Sequence, residues 1–192
     1  MISLRPIEKT DLSMLKEWRN SEVVRPYVRE YRLLNDVDQE VWYAAYLNSR
    51  RRADFDQEIL IISQKVETGR YIANSNDTLD KEFSLKPIGI GGFTRIEWRN
   101  QRAELTFYLV DNNGCHDLDS RHLAINALLD KGFNEFNFHK ITWPVYAHDP
   151  NLKVYQSLFN TESILKEEYY WNGQFQDRYY LSLLKKDYKN VY

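Results

Sequence analysis

At 192 residues the chain has room for one hydrophobic core, and no Pro/Ser-rich stretch separates it into two domains. Apolar residues make up 43%, with 5 Trp, 14 Tyr and 9 Phe, which excludes the composition of a disordered protein. The 26 basic and 28 acidic residues give a formal charge of −2, so no broad cationic field recruits a phosphate backbone, and nucleic acid is excluded as a general partner.

No run approaches the roughly 20 apolar residues that cross a bilayer. The N-terminal MISLRPIEKTDL lacks the basic segment and apolar run of a signal peptide, and the lone Cys115 has no partner for an internal disulfide. A cytoplasmic monomer or homodimer is the expectation.

Ile2 to Pro6 reads as a strand, and Thr10 or Asp11 caps a helix with Leu12, Met14, Leu15 and Trp18 on its apolar side. Asn35 or Asp36 opens a second helix, with Val37, Val41, Trp42, Ala45 and Tyr46 expected on its inner face. Arg50, Arg51 and Arg52 follow, either as an anion site or as a solvated helix end complementing the dipole. Glu58 to Gln64 is a nearly continuous β-branched run, as in a strand covered on both faces. Residues 65–87 turn polar and predict a long hairpin or a mobile loop.

Ile88 to Ile96 and Arg102 to Val110 predict an antiparallel pair, and Ser120 to Phe136 a helix. Phe138 to Tyr146 reads as a strand, and Asp149-Pro150 as a helix start with Asp as cap and Pro at the first position. Asn172-Gly173 joins a last hairpin, Ser163 to Trp171 with Gln174 to Leu184, before a tail at 186–192. The fold class is α/β (α+β): about seven strands in a mostly antiparallel mixed sheet, flanked by about four helices.

This order, with Leu4-Arg5-Pro6, Trp18-Arg19-Asn20, Ile88-Gly89-Ile90-Gly91-Gly92, Ala103-Glu104-Leu105, Asn137-Phe138-His139-Lys140-Ile141 and Asn172-Gly173-Gln174, resembles the GNAT N-acetyltransferase superfamily and its RimJ/RimL-like branch. The resemblance spans nearly the whole chain. It implies a GNAT acyl-CoA N-acyltransferase fold and transfer of acetyl from acetyl-CoA to a primary amine. The acceptor it suggests is an amino sugar, nucleotide-linked or not, or another small molecule. Protein amines are the enzymatic alternative.

Acetyl transfer needs a neutral amine, a stabilised oxyanion and a proton for the departing thiolate. The resemblance assigns the last role to Tyr155, whose hydroxyl normally titrates above a thiol. It places Glu104 as the base, while strand alternation puts Glu104, Thr106 and Tyr108 on one face. A surface ion pair with Arg102 or Arg95 is the competing account of Glu104. Backbone groups of Tyr108, Leu109 and Val110 are implied to meet the pantetheine arm, together with His148 and Asn151 where the family has Asn-x-x-Ser.

Relatives bind the pyrophosphate through Arg/Gln-x-x-Gly-x-Gly/Ala at a helix N-terminus. This chain departs from that pattern, with His116, Asp117, Leu118, Asp119, Ser120 and Arg121 as the corresponding loop. The two aspartates motivate a second class of reading, a GNAT-like binding or assembly module without acetyl-CoA. Cys115, His116, Asp117 and Asp119 lack the repeated ligand spacing of zinc sites, so no metal is expected. On the substrate side, Trp18, Arg19, Arg25, Tyr27, Arg29 and Tyr31 alternate arginine with aromatic rings, which suits a ligand with a ring and a phosphate.

Overall fold

The computed structural model describes residues 1–73, 79–110 and 118–188, with the backbone alone at 71–73 and 79–80. One sheet of seven strands runs β1 (Ile2–Pro6), β2 (Glu58–Ala73), β3 (Leu79–Glu97), β4 (Arg102–Leu109), β5 (Lys140–Tyr146), β7 (Gln174–Leu184), β6 (Asn160–Trp171) in spatial order. Every neighbouring pair is antiparallel except β4 with β5. The helices are α1 (Leu12–Asn20), α2 (Asp36–Arg50), α3 (Leu118–Asp130) and α4 (Leu152–Leu158). The α/β class, strand count and element order expected from the sequence are those observed.

The run in β2 shows why the sheet is covered on both faces. Ile59 and Ile61 enter a core with Leu12, Leu15 and Tyr46 from α1 and α2, whereas Leu60 and Ile62 enter the core that holds Ala124, Leu128 and Phe133. All four are nearly inaccessible, and full burial of each such side chain contributes roughly 1.5–3 kcal/mol. In β3, Gly91 lets α3 approach: a Cβ there would stand 2.3 Å from Leu128 Cδ1. Gly92 has φ +153° and lies against the Glu58 carbonyl, which excludes a side chain as well.

Residues 65–73 and 79–87 form an antiparallel arm, since β2 and β3 pair from Lys65↔Leu85 out to Ala73↔Leu79. The described part of the polar stretch extends both strands, and residues 74–78 lie outside the described residues. At the other end of the chain β6 begins at Asn160, three residues earlier than expected.

Local chemistry corrects several sequence expectations. Asn35 caps α2 as expected, with its side chain accepting from Asp38 N–H at 3.0 Å. The buried stripe of α2 is Gln39, Trp42, Tyr43 and Tyr46, while Val37, Val41 and Ala45 are exposed. Both sets repeat at helical spacing, and the tyrosines win because Tyr46 also exchanges hydrogen bonds with the Ile59 backbone. Asp11 precedes α1 but gives it no side-chain cap. Its carboxylate instead accepts from Arg5 at 2.7 Å and from Glu8 N–H at 2.8 Å.

Asp149-Pro150 opens a turn, not the helix itself. Asp149 Oδ1 accepts from Asn151 N–H at 2.8 Å, and α4 starts at Leu152 with Asn151 in the cap position. The helix expected over 120–136 is α3 followed by a wider π turn, Lys131–Glu135, whose Gly132 lies against Phe93 and Ile141. In the triple arginine, Arg50 grips buried Glu58 and Arg52 pairs with Asp54. Two of the three are thus helix-end ion pairs.

Candidate active site

The parallel pair β4 and β5 is hydrogen-bonded only over Arg102↔Lys140, Ala103↔Ile141 and Glu104↔Thr142. Beyond Glu104 the strands separate, although β4 stays paired to β3 out to Gly89↔Leu109. A splay results, with the β4 backbone edge and the β5 edge facing each other across a notch of about 60 Å³ lined by Phe107, Leu109, Pro144, Val145 and Tyr155. Such a gap suits a narrow extended chain that replaces the missing strand pairing.

Tyr155 lines the notch. It is 3% exposed, its ring lies 4.1 Å from that of Trp143, and its oxygen accepts from Arg121 Nη1 at 3.0 Å. Burial, reinforced by the nearby Asp149 carboxylate, drives the phenol pKa well up, and Arg121 only partly opposes it. The hydroxyl therefore keeps its proton across the physiological range. Asp149, in the same lining, is itself pushed up by burial.

A wider cleft of about 720 Å³ opens on the other face of the sheet, between β4 and the segment that joins α1 to α2. Strand alternation sends Glu104, Thr106 and Tyr108 there, as expected. The Glu104 side chain is 13% exposed, and its oxygens accept from Arg29 Nη2 at 3.3 Å and Arg95 Nη1 at 2.9 Å. Tyr108 lines both openings; its hydroxyl is fully buried with no hydrogen-bond partner in the described residues, and desolvation raises its pKa.

No protein-family model matches the chain. Among solved structures it superimposes on spermidine N-acetyltransferase from Vibrio cholerae in complex with CoA and spermine, with a TM-score of 0.74 and 22% identity over 97% of this chain and 96% of that one. The dodecameric form of the Vibrio cholerae enzyme gives 0.71 and 21%, over 98% and 96%. The chain has the GNAT fold. In sequence it is similar to the uncharacterized N-acetyltransferase p20 of Bacillus licheniformis, 34% identical over 103 residues. That match covers 53% of this chain and 57% of p20, so the chain spans little more than half the length of the curated relative.

Within the GNAT fold, the sequence-derived candidates divide by position. Tyr155, Tyr108, Leu109, Arg121 and Asn151 surround the notch. Val110 continues β4, its N–H donating to Ile88 O at 2.7 Å. His148 lies behind the notch, with Nε2 3.0 Å from Pro26 O and its ring stacked on Tyr146. Leu118 and Asp119 are exposed in the first turn of α3, and Ser120 is buried there, its Oγ accepting from Gln64 at 3.0 Å. Cys115, His116 and Asp117 lie outside the described residues. Among the described residues no group of three or more His, Cys, Asp or Glu side chains is placed to hold a metal.

Arg19, Tyr27 and Arg29 line the wide cleft; Trp18, Arg25 and Tyr31 do not. Trp18 packs on the core of α1 and α2, Arg25 pairs with Glu22 at 2.8 Å, and Tyr31 is 56% exposed. Sequence reasoning did not single out Arg178 or Tyr146, which face one another across the register Tyr146↔Arg178 between β5 and β7. Their available signal was the strand alternation of β5 and β7, which puts both on the cleft side. Among the described residues no helix is long and apolar enough to cross a membrane.

Proposed function

We propose that the chain is an acetyl-CoA-dependent N-acetyltransferase acting on a primary amine of an amino sugar or another small molecule, in the cytoplasm. The observation that carries this reading is the Tyr155 hydroxyl in the notch between the splayed β4 and β5, with Glu104 of β4 lining the wide cleft on the other face of the sheet. The relatives' names support the same activity: p20 is called an N-acetyltransferase, and the Vibrio cholerae structure holds CoA.

The residues fit such a co-substrate. The open edge of β4 beyond Glu104 offers backbone groups to an extended amide-bearing arm, and the N-terminus of α3 is the end of a helix at which phosphates would lie. Acetyl-CoA supplies the activated acyl group. Glu104 receives the proton that the amine must lose, once one of its two arginines yields an oxygen. The amine nitrogen then bonds to the acetyl carbon, the carbon–sulfur bond breaks, and Tyr155 gives its proton to the departing sulfur. Because burial keeps Tyr155 protonated, it is ready as an acid without prior activation.

Calorimetric titration with acetyl-CoA tests the reading. Micromolar binding, with CoA thiol released in the presence of an amine, is expected. Absent binding would leave the fold as a binding or assembly module.

A further inference from the structure

The wide cleft carries more positive charge than its own carboxylates balance. Five arginines line it (Arg19, Arg29, Arg32, Arg95 and Arg178) against three carboxylates (Glu30, Asp38 and Glu104). Arg32 is satisfied by Glu30 through two bonds of 2.9 Å, and Glu104 is shared by Arg29 and Arg95.

Arg178 is different. Its side chain is only 16% exposed, its Nε is buried with no hydrogen-bond partner among the described residues, and its nearest carboxylate, Glu168, stands at 3.7 Å. The guanidinium lies over the rings of Tyr146 and Tyr180, 5.1 and 5.5 Å from their centroids. Cation–ring contacts stabilise a cation but satisfy none of its N–H donors, and Glu168 supplies an opposite charge while the buried Nε donor is left without an acceptor. Arg29 lines the same cleft as Arg178 and Tyr146. Arg29 is 61% exposed and its bond to Glu104 is long at 3.3 Å, so it can turn toward a ligand at little cost.

We infer that the acceptor amine carries an anionic group, a phosphate or a carboxylate, which Arg178 and Arg29 hold against Tyr146. This rests on the transferase reading and narrows its substrate class. A paired fork of guanidiniums matches the planar oxygens of a carboxylate and the oxygen edge of a phosphate. It also argues against a polyamine acceptor such as the spermine held by the Vibrio cholerae enzyme, because a polycation would enter a cleft whose lining holds more arginines than carboxylates. When Arg29 turns to the anion, Glu104 Oε1 is released beside the amine, so binding of the correct acceptor frees the base.

The experiment compares acceptors that share a primary amine but differ in charge: glucosamine, glucosamine 6-phosphate, glutamate and spermidine. Each is titrated by calorimetry into the full chain and then assayed with acetyl-CoA. Glucosamine 6-phosphate or glutamate should bind at least tenfold more tightly than glucosamine, and the better of the two identifies the anion. Arg178→Met should remove that preference, Arg178→Lys should keep part of it, and Arg29→Met, at an exposed site that does not threaten folding, should weaken it. Equal binding of charged and neutral acceptors, a preference for spermidine, or an unchanged preference in both Arg178→Lys and Arg29→Met would overturn the inference. Acetyl-CoA titrated alone reports on the transferase reading separately, since the anion preference is read in binary complexes without it.

Discussion

Arg121, in the first turns of α3, donates to the phenolic oxygen of Tyr155 on α4 across 3.0 Å, tying the two helices that flank the strand splay. Burial keeps this hydroxyl protonated in the notch it lines. Tyr155→Phe should therefore lower kcat by about 10²–10⁴ with little change in acetyl-CoA affinity, as loss of a general acid does. Steady-state kinetics with calorimetry decide it; an unchanged kcat removes the acid role.

Glu104 is claimed by two guanidiniums, which is the geometry of a structural ion pair as well as of a restrained base. Glu104→Gln separates the roles, because the amide keeps an acceptor for Arg95 but cannot take a proton. A base predicts a fall in kcat of about 10²-fold or more with folding largely retained. A purely structural pair predicts a lowered Tm and near-normal kcat in the surviving protein. Thermal melts and initial rates on the same preparation distinguish them.

The architecture was legible because it rests on local signals: the Ile59–Ile62 run, the Asn35 cap and the Asn172-Gly173 turn each determine an element by themselves. Faces were harder to read. In α2, two apolar stripes compete at the same period, and only the bonds of Tyr46 to the Ile59 backbone choose between them. The site was legible where a strand fixes direction, as for Glu104 and Tyr108, and not where distant segments converge. The Tyr146 and Arg178 pairing depends on β7 lying between β5 and β6, which sequence spacing does not state. The Asp149-Pro150 signal was real chemistry expressed one turn early, since an Asp side chain caps a turn as readily as a helix.

Gly91 is predicted to be intolerant of even one methyl group. Its Cβ would meet Leu128 Cδ1 at 2.3 Å and Ile62 Cδ1 at 3.1 Å, both inaccessible to solvent. Either α3 moves away from the sheet or Leu128 leaves its rotamer. Gly91→Ala should cost about 1–3 kcal/mol in denaturant unfolding. The double variant Gly91→Ala with Leu128→Ala should restore less than the single change removes, because it exchanges a clash for a cavity. A Gly91→Ala protein with unchanged stability would show that α3 adjusts freely against β3.

The ion pair at the start of the chain makes a prediction about acid. Asp11 is 7% exposed and accepts 2.7 Å bonds from both Arg5 terminal nitrogens, and this pairing holds its carboxyl below the usual carboxylate range. A depressed folded-state pKa means that the native state binds the proton less readily than the unfolded chain. The stabilisation is therefore complete above the unfolded value, about 3.9, and is lost as pH falls through the lower folded value. Asp11→Asn should cost about 1–3 kcal/mol at neutral pH, from the loss of charge-assisted bonds to a partly solvated arginine. Chemical denaturation of both proteins from pH 7 to pH 2 should show the difference constant down to about pH 4 and shrinking below it. A gap that persists unchanged at the lowest pH would mean that the substitution disrupts packing, not charge, and that the pairing of Asp11 with Arg5 contributes little.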